Sequence, residues 1–267
     1  MSRAASPPQL TTIAVSATGA RGAIMLDRPE KLNPLGPTTL AEIIAAAQWL
    51  DEQRDVKVVV VSGAGRAFSA GADLAAFGAG EAGGSLAARE GADLGRQMAD
   101  AVEAMRAVTV ARLHGHCVGG GVVLAAACDL RVAAEGTRFS IPEVALGIPL
   151  TWGGIPRLVR ELGPALTKEL VLTCRPFDAT EAKAMGFVNR VVPDGELDAA
   201  VDALVGVLES RSAFTLEATK RRVDAVTERM VGRIDAWADA DALVTARRDP
   251  ESRAAAAAYL EGLKRHG

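Results

Sequence analysis

The chain has 267 residues, a net charge of −3 and a pI near 5.7, with 49% apolar but only 4% aromatic residues. These values predict one large unit, or one unit with an appendage, whose core is built mostly from Ala, Val, Leu and Ile. They argue against a basic nucleic-acid surface, and the longest uncharged run, 113–128, falls short of the roughly 20 apolar residues of a membrane span.

The opening stretch, MSRAASPPQL, has no apolar signal core, so no export signal is expected. Residues 11–29 read as two strands about the Gly-containing turn 18–22. A helix is expected over 38–52, where Leu40, Ile43, Ile44 and Ala47 recur at helical spacing. The β-branched run Val58, Val59, Val60, Val61 suits a strand buried on both faces. Residues 78–93, dense in glycine and without apolar period, read as a loop. A strand at 109–113, a buried helix at 122–128 and a strand at 130–133 follow, an order that predicts parallel pairing. Helical segments between Gly153 and Met185 are broken at Gly163-Pro164 and at Arg175-Pro176, and GFVNRVVP is a last strand. From Glu196 onward every signal is helical. The expected division is an α/β core over 1–195 and an all-α region over 196–267.

The cysteines Cys117, Cys128 and Cys174 are odd in number and none is paired at metal-ligand spacing. Neither a disulfide framework nor a metal site is expected, and a reduced, cytoplasmic setting fits.

Two stretches bear on chemistry. GHCVGGGVVLAAACDL (115–130) lacks the Lys-Ser/Thr of a P-loop and the spacing of a dinucleotide fingerprint. Its glycines fit either close packing of helix on strand or backbone N–H groups facing a ligand oxygen at a helix N-terminus. GAGRAFSAGADL (63–74) again places small residues just beyond a strand end, where ligands of parallel α/β structures sit. Two such turns can offer two N–H donors to one oxygen, which is an oxyanion hole.

At this point the chain resembles a family. GRAFSAGADL and GHCVGGGVVLAAACDLRVA, with LDRPEKLNPL before them and FSIPEVALGI and PFDATEAKAMGFVNRVVP after, resemble the ordered landmarks of the crotonase, or enoyl-CoA hydratase/isomerase, superfamily. The resemblance implies an α/β spiral of ββα units followed by a C-terminal all-α region that builds a homotrimer, often paired into a hexamer. It implies acyl-CoA thioester substrates, with coenzyme A part of the substrate and no separate cofactor. Carried over residue by residue, the N–H groups of Ala70 and Gly120 hold the thioester oxygen and Glu143 is the acid/base. Asp73, Leu74, Gly119, Pro142 and Thr151 lie along the substrate, and Arg28 and Lys31 border the nucleotide.

Taken alone, Glu143 reads as a carboxylate in the first turn of a helix after Pro142; the resemblance makes it catalytic. Asp73 reads as a helix cap, and Asp129 as the end of the buried helix. His114 and His116 read as turn histidines, Cys117 and Cys128 as small core residues. Trp152 fits either the acyl pocket or the core, and Lys220, Arg221 and Arg222 fit a solvated helix face. Hydratases of the family carry a second glutamate three residues after the hole glycine; here that position is Val123. A further acidic position, eight after Glu143, is Thr151. One carboxylate suits isomerase-type proton transfer on an enoyl-CoA. The alternatives are a hydratase, a hydratase-lyase and, from another class, a non-catalytic acyl-CoA-binding scaffold.

Overall fold

The computed structural model describes residues 7–73, 85–232, 236 and 238–266. Its main sheet has the strand order β1-β2-β3-β4-β6-β9. β1 (Ile13–Thr18) and β2 (Arg21–Leu26) are antiparallel, as the Gly-containing turn predicts. β3 (Val58–Gly63), β4 (Val108–Leu113), β6 (Leu130–Ala134) and β9 (Arg190–Val192) then add in parallel. The β-branched run of β3 serves two apolar layers. Val58 joins Val110 and Val132 against Leu197, Val201, Leu204 and Val205 of α6 (Leu197–Glu209). Val59 and Val61 face the larger core with Ile24, Leu40, Ile43 and Met98.

α1 (Pro37–Glu52) starts with proline in its first turn after Gly36 and buries Leu40, Ile43, Ala47 and Leu50. A second sheet runs β5-β7-β8, made of β5 (His116–Val118), β7 (Arg138–Ser140) and β8 (Phe177–Asp178). Between β5 and β6 lies α3 (Gly120–Ala127), in which every residue is buried. A helix apolar on all sides must be enclosed, and the expected run 122–128 is this helix shifted by two residues at its start. Its C-terminal carbonyls are met by the buried Arg131 guanidinium, which donates to Ala125 O at 3.2 Å and Cys128 O at 2.7 Å and pairs with Glu161 at 2.5 Å.

Three expectations are corrected. The loop expected over 78–93 is helical from residue 85: α2 spans Ser85–Glu103, while 74–84, with Leu74, lies outside the described residues. Gly91 weakens that helix by about 1 kcal/mol relative to Ala, but Ala92 packs against Ala240 and Leu243, and Arg89 pairs with Asp241 at 2.9 Å. The last strand is only Arg190–Val192, because Phe187 and Val188 turn into the core before it. Lys220 is not solvated: its side chain is 7% exposed and pairs with Asp129 at 2.8 Å. Asp129 also accepts from the N–H and hydroxyl of Thr109 at 2.7 and 3.0 Å, which ties the end of α3 to β4.

α4 (Gly154–Thr173) kinks at Gly163, φ 76°, before Pro164, where the break is expected. α5 (Ala179–Ala184) is capped by Asp178, which accepts from Glu181 N at 2.8 Å. α6 lies back on the sheet, and α7 (Ala213–Met230) has no buried apolar residue. α8 (Asp239–Arg248) returns to α2, and α9 (Pro250–His266) closes the chain. No described helix is long and apolar enough to cross a membrane.

Candidate active site

The two glycine-bearing turns meet. Ser69 N donates to His116 O at 3.0 Å and Val118 N donates to Ser69 O at 3.0 Å, so the 63–73 segment pairs with β5. Beyond this bridge both chains turn through glycines of positive φ, Gly71 at 87° and Gly119 at 50°. A Cβ at Gly71 would sit 2.6 Å from Val118 O, so the approach requires glycine there.

The donor expected from Ala70 is corrected. Its N–H donates to Leu32 O at 2.8 Å and is committed to that contact. On the far side of Gly71, Leu35 pairs with the carbonyl of Gly71 (2.8 Å) and the N–H of Asp73 (3.2 Å), which leaves the Ala72 N–H between them without an acceptor among the described residues. Gly120 N, the first of α3, also has none among the described residues. Each open donor follows a positive-φ glycine. The sequence shows two glycine-bearing turns, but neither the sign of φ at Gly71 and Gly119 nor which alanine pairs with the 32–35 segment.

Glu143 follows β7 on a turn, not in a helix. Leu146 N donates to Pro142 O and Ile148 N to Glu143 O, each at 3.0 Å, before Gly147 (φ 68°) and Pro149 redirect the chain. The carboxylate presses on the backbone of Gly119, where any Cβ would overlap its Oε1. Its Oε2 is shut off from solvent and has no hydrogen-bond partner. Burial therefore pushes the Glu143 carboxyl up to about 7. A buried carboxylate near neutrality with one oxygen left open is what a general base at physiological pH requires.

Ala72, Gly120, Val123, Glu143, Ile148, Leu150, Thr151, Trp152, Leu243 and Arg247 line one cavity of about 60 Å³. Glu143 is its one carboxylate among the described residues, and fully buried Val123 lies on the same wall. Thr151 is on the lining as expected; Leu243 and Arg247, from α8, were not foreseen. Gly119 and Pro142 stand just behind Gly120 and Glu143. Arg28 reaches Asp73 at 3.8 Å, and Lys31 is exposed on the Pro29–Lys31 turn, so both stand away from the cavity lining. The helix that Asp73 was expected to cap falls outside the described residues. His114 bonds Gly65 O at 2.9 Å, and His116 is the exposed start of β5. Burial pushes the Cys117 and Cys128 thiols up. No group of three or more His, Cys, Asp or Glu is placed to hold a metal among the described residues. A larger hollow of about 470 Å³ beside α7 is lined by Asp129, Arg160 and Lys220, with Glu103 paired to Arg160 at 2.6 Å; neither open donor faces it.

Two open main-chain N–H groups, one buried carboxylate and a largely apolar cavity thus come together beyond the strand ends. The model of the enoyl-CoA hydratase/isomerase family matches residues 19–266, and the chain belongs to that family. A probable enoyl-CoA hydratase of Mycobacterium tuberculosis is 34% identical over 81% of this chain and 82% of its own. The crotonyl-CoA hydratase of Syntrophomonas wolfei is 35% identical over 74% and 75%. The peroxisomal Δ(3,5)-Δ(2,4)-dienoyl-CoA isomerase of Arabidopsis thaliana is 35% identical over 74% of each chain. A crystal structure of an enoyl-CoA hydratase from Mycobacterium avium subsp. paratuberculosis superposes with a TM-score of 0.84 at 25% identity, covering 94% of this chain and 99% of the other.

Proposed function

We propose that this chain moves a proton between the alpha and gamma carbons of an enoyl-CoA, with Glu143 as the one acid/base. The observation that carries the reading is the cavity wall: Glu143 is its one described carboxylate, and Val123 fills the place where the resemblance puts a second. The thioester oxygen sits between the N–H groups of Ala72 and Gly120, which take up charge as the enolate forms. Glu143, ionised, removes the alpha proton; protonated, it returns a proton at the gamma carbon. One base suffices for both, since the enolate is delocalised over the two carbons. Hydration also demands that a water be held and deprotonated, and Val123 offers no group for that.

The names of the relatives from M. tuberculosis and S. wolfei favour hydration as the second reading. Parallel assays with 3-hexenoyl-CoA and crotonyl-CoA separate the two. Turnover of the first that exceeds that of the second supports isomerisation. Crotonyl-CoA hydration near the diffusional ceiling of roughly 10⁸ M⁻¹s⁻¹ in kcat/KM replaces it with the hydratase reading. Binding of both esters without turnover of either, or of feruloyl-CoA, leaves the scaffold. The assembly proposed is a homotrimer or hexamer, supported by the open apolar face of α7.

A further inference from the structure

Trp152 stands out at the site. It is a non-glycine residue in the left-handed region, φ 62°, yet only 5% exposed. A bulky side chain is held in that conformation only where its surroundings over-determine it, and here they do. The fully buried Arg157 donates to the carbonyls of Trp152 and Gly153 at 3.3 and 3.1 Å. Its other nitrogen pairs with Asp100 at 2.8 Å and with Glu103, both on α2. Gly153 N donates to Asp239 of α8 at 2.7 Å. Three helices thus fix one turn.

The product of that fixing is the position of an indole. The ring occupies the space that side chains would take at Gly95 of α2 and at Gly120; a Cβ at either would overlap it. Gly120 is also an open donor of the site, so the ring lies directly beside the proposed seat of the thioester oxygen. With Leu150 and Leu243 the ring closes the cavity that Glu143 faces.

We infer that Trp152 is the end wall of the acyl site and restricts this chain to short-chain acyl-CoA esters. The inference rests on the acyl-CoA reading of the site and adds the length of the acyl group to it. Arg157 holds the main chain from which the ring springs, so the turn cannot shift for a longer chain without breaking Arg157's contacts, and the ring itself is packed against Gly95 and Gly120. Arg157 is on this account a positioning residue that acts through Trp152.

Calorimetric titration with butyryl-CoA and decanoyl-CoA tests this without requiring turnover. The wild type is expected to bind butyryl-CoA at least tenfold more tightly than decanoyl-CoA. Trp152→Ala is expected to reverse that order, and Trp152→Leu, which keeps an apolar wall and guards against a folding failure in the alanine variant, to shift it in the same direction. Equal affinity of the wild type for the two esters overturns the inference. So does retention of the wild-type preference in a folded Trp152 variant, since a ring that merely packs the core changes stability and not chain-length preference. Failure of the wild type to bind either ester removes the acyl-CoA reading itself, and the end wall with it.

Discussion

At the scale of single residues, Glu143 carries the sharpest predictions. Glu143→Gln keeps the shape and removes the base, and turnover of the enoyl-CoA substrate is expected to fall by at least about a hundredfold, the usual scale for general acid–base catalysis. Acyl-CoA affinity, measured by calorimetry, is expected to stay within a few-fold; near-native turnover would take Glu143 out of the mechanism. Because burial holds the carboxyl at about 7, kcat/KM of the wild type should rise with pH and level off above about 7 as the base ionises. The same shift acts on stability. Between 4.5 and about 7 the folded protein binds more protons at this group than the unfolded chain does, so stability falls as pH rises through that window. Thermal melts of wild type and Glu143→Gln across that window check the sign, since the glutamine variant should lose that contribution to the slope. Val123→Glu is the complementary change. It should raise crotonyl-CoA hydration while lowering the melting temperature. Val123 is fully buried, and a Cβ at Gly154 would sit only 2.9 Å from its Cγ2, so α3 and α4 have no slack there. Overpacking alone costs about 1–3 kcal/mol, and a carboxylate in this wall needs support that the valine site lacks.

At the scale of elements, the turn entering α3 is the part least open to change. Gly119→Ala demands a φ of 50° from alanine and drives its Cβ into Glu143 Oε1. It is expected to lower turnover as far as Glu143→Gln does while leaving far-UV circular dichroism unchanged; an alanine variant of near-native activity would show that the carboxylate need not lie against this turn. Much of the architecture was legible because it is written in local pattern: the valine run of β3, the all-apolar α3, the proline start of α1 and the break at Gly163-Pro164. The failures were non-local. Residues 85–93 look like loop by their glycines, but the helix is held by Ala92 on α8 and by the Arg89–Asp241 pair. The Glu143 segment looks like a helix start, but Gly147 ends it after one turn. Ala70 and Ala72 are indistinguishable by type; only the docking of the 32–35 segment decides which N–H remains open. Lys220 looks like a solvated charge until Asp129, far away in sequence, is brought against it.

At the scale of the whole molecule, α7 carries an uncovered apolar face. It has no buried apolar residue, and Val223, Val226 and Met230, spaced three and four apart on one face, are 59%, 56% and 77% exposed. An apolar face of this kind marks an interface, and a second and third copy of this chain are its proposed occupants. Light scattering is expected to give three or six times the 27.6 kDa of one chain. Met230→Glu should shift the mass toward the monomer without loss of helix content, since Met230 is 77% exposed and contributes nothing to the core. A monomer at micromolar concentration in the wild type would refute the assembly.

The two open donors, Ala72 and Gly120, have a consequence for how such a site can diverge. Both are main-chain groups aimed by the glycine that precedes each, so a side-chain replacement at position 72 leaves the donor in place; only proline there deletes it. Most point mutations therefore leave both donors in place, and a change of side chain in the walls around them, at Val123 or Trp152, costs packing but deletes neither donor. A scaffold of this kind can exchange one reaction for another, or one acyl group for another, by single replacements that never pass through an intermediate lacking the oxygen site.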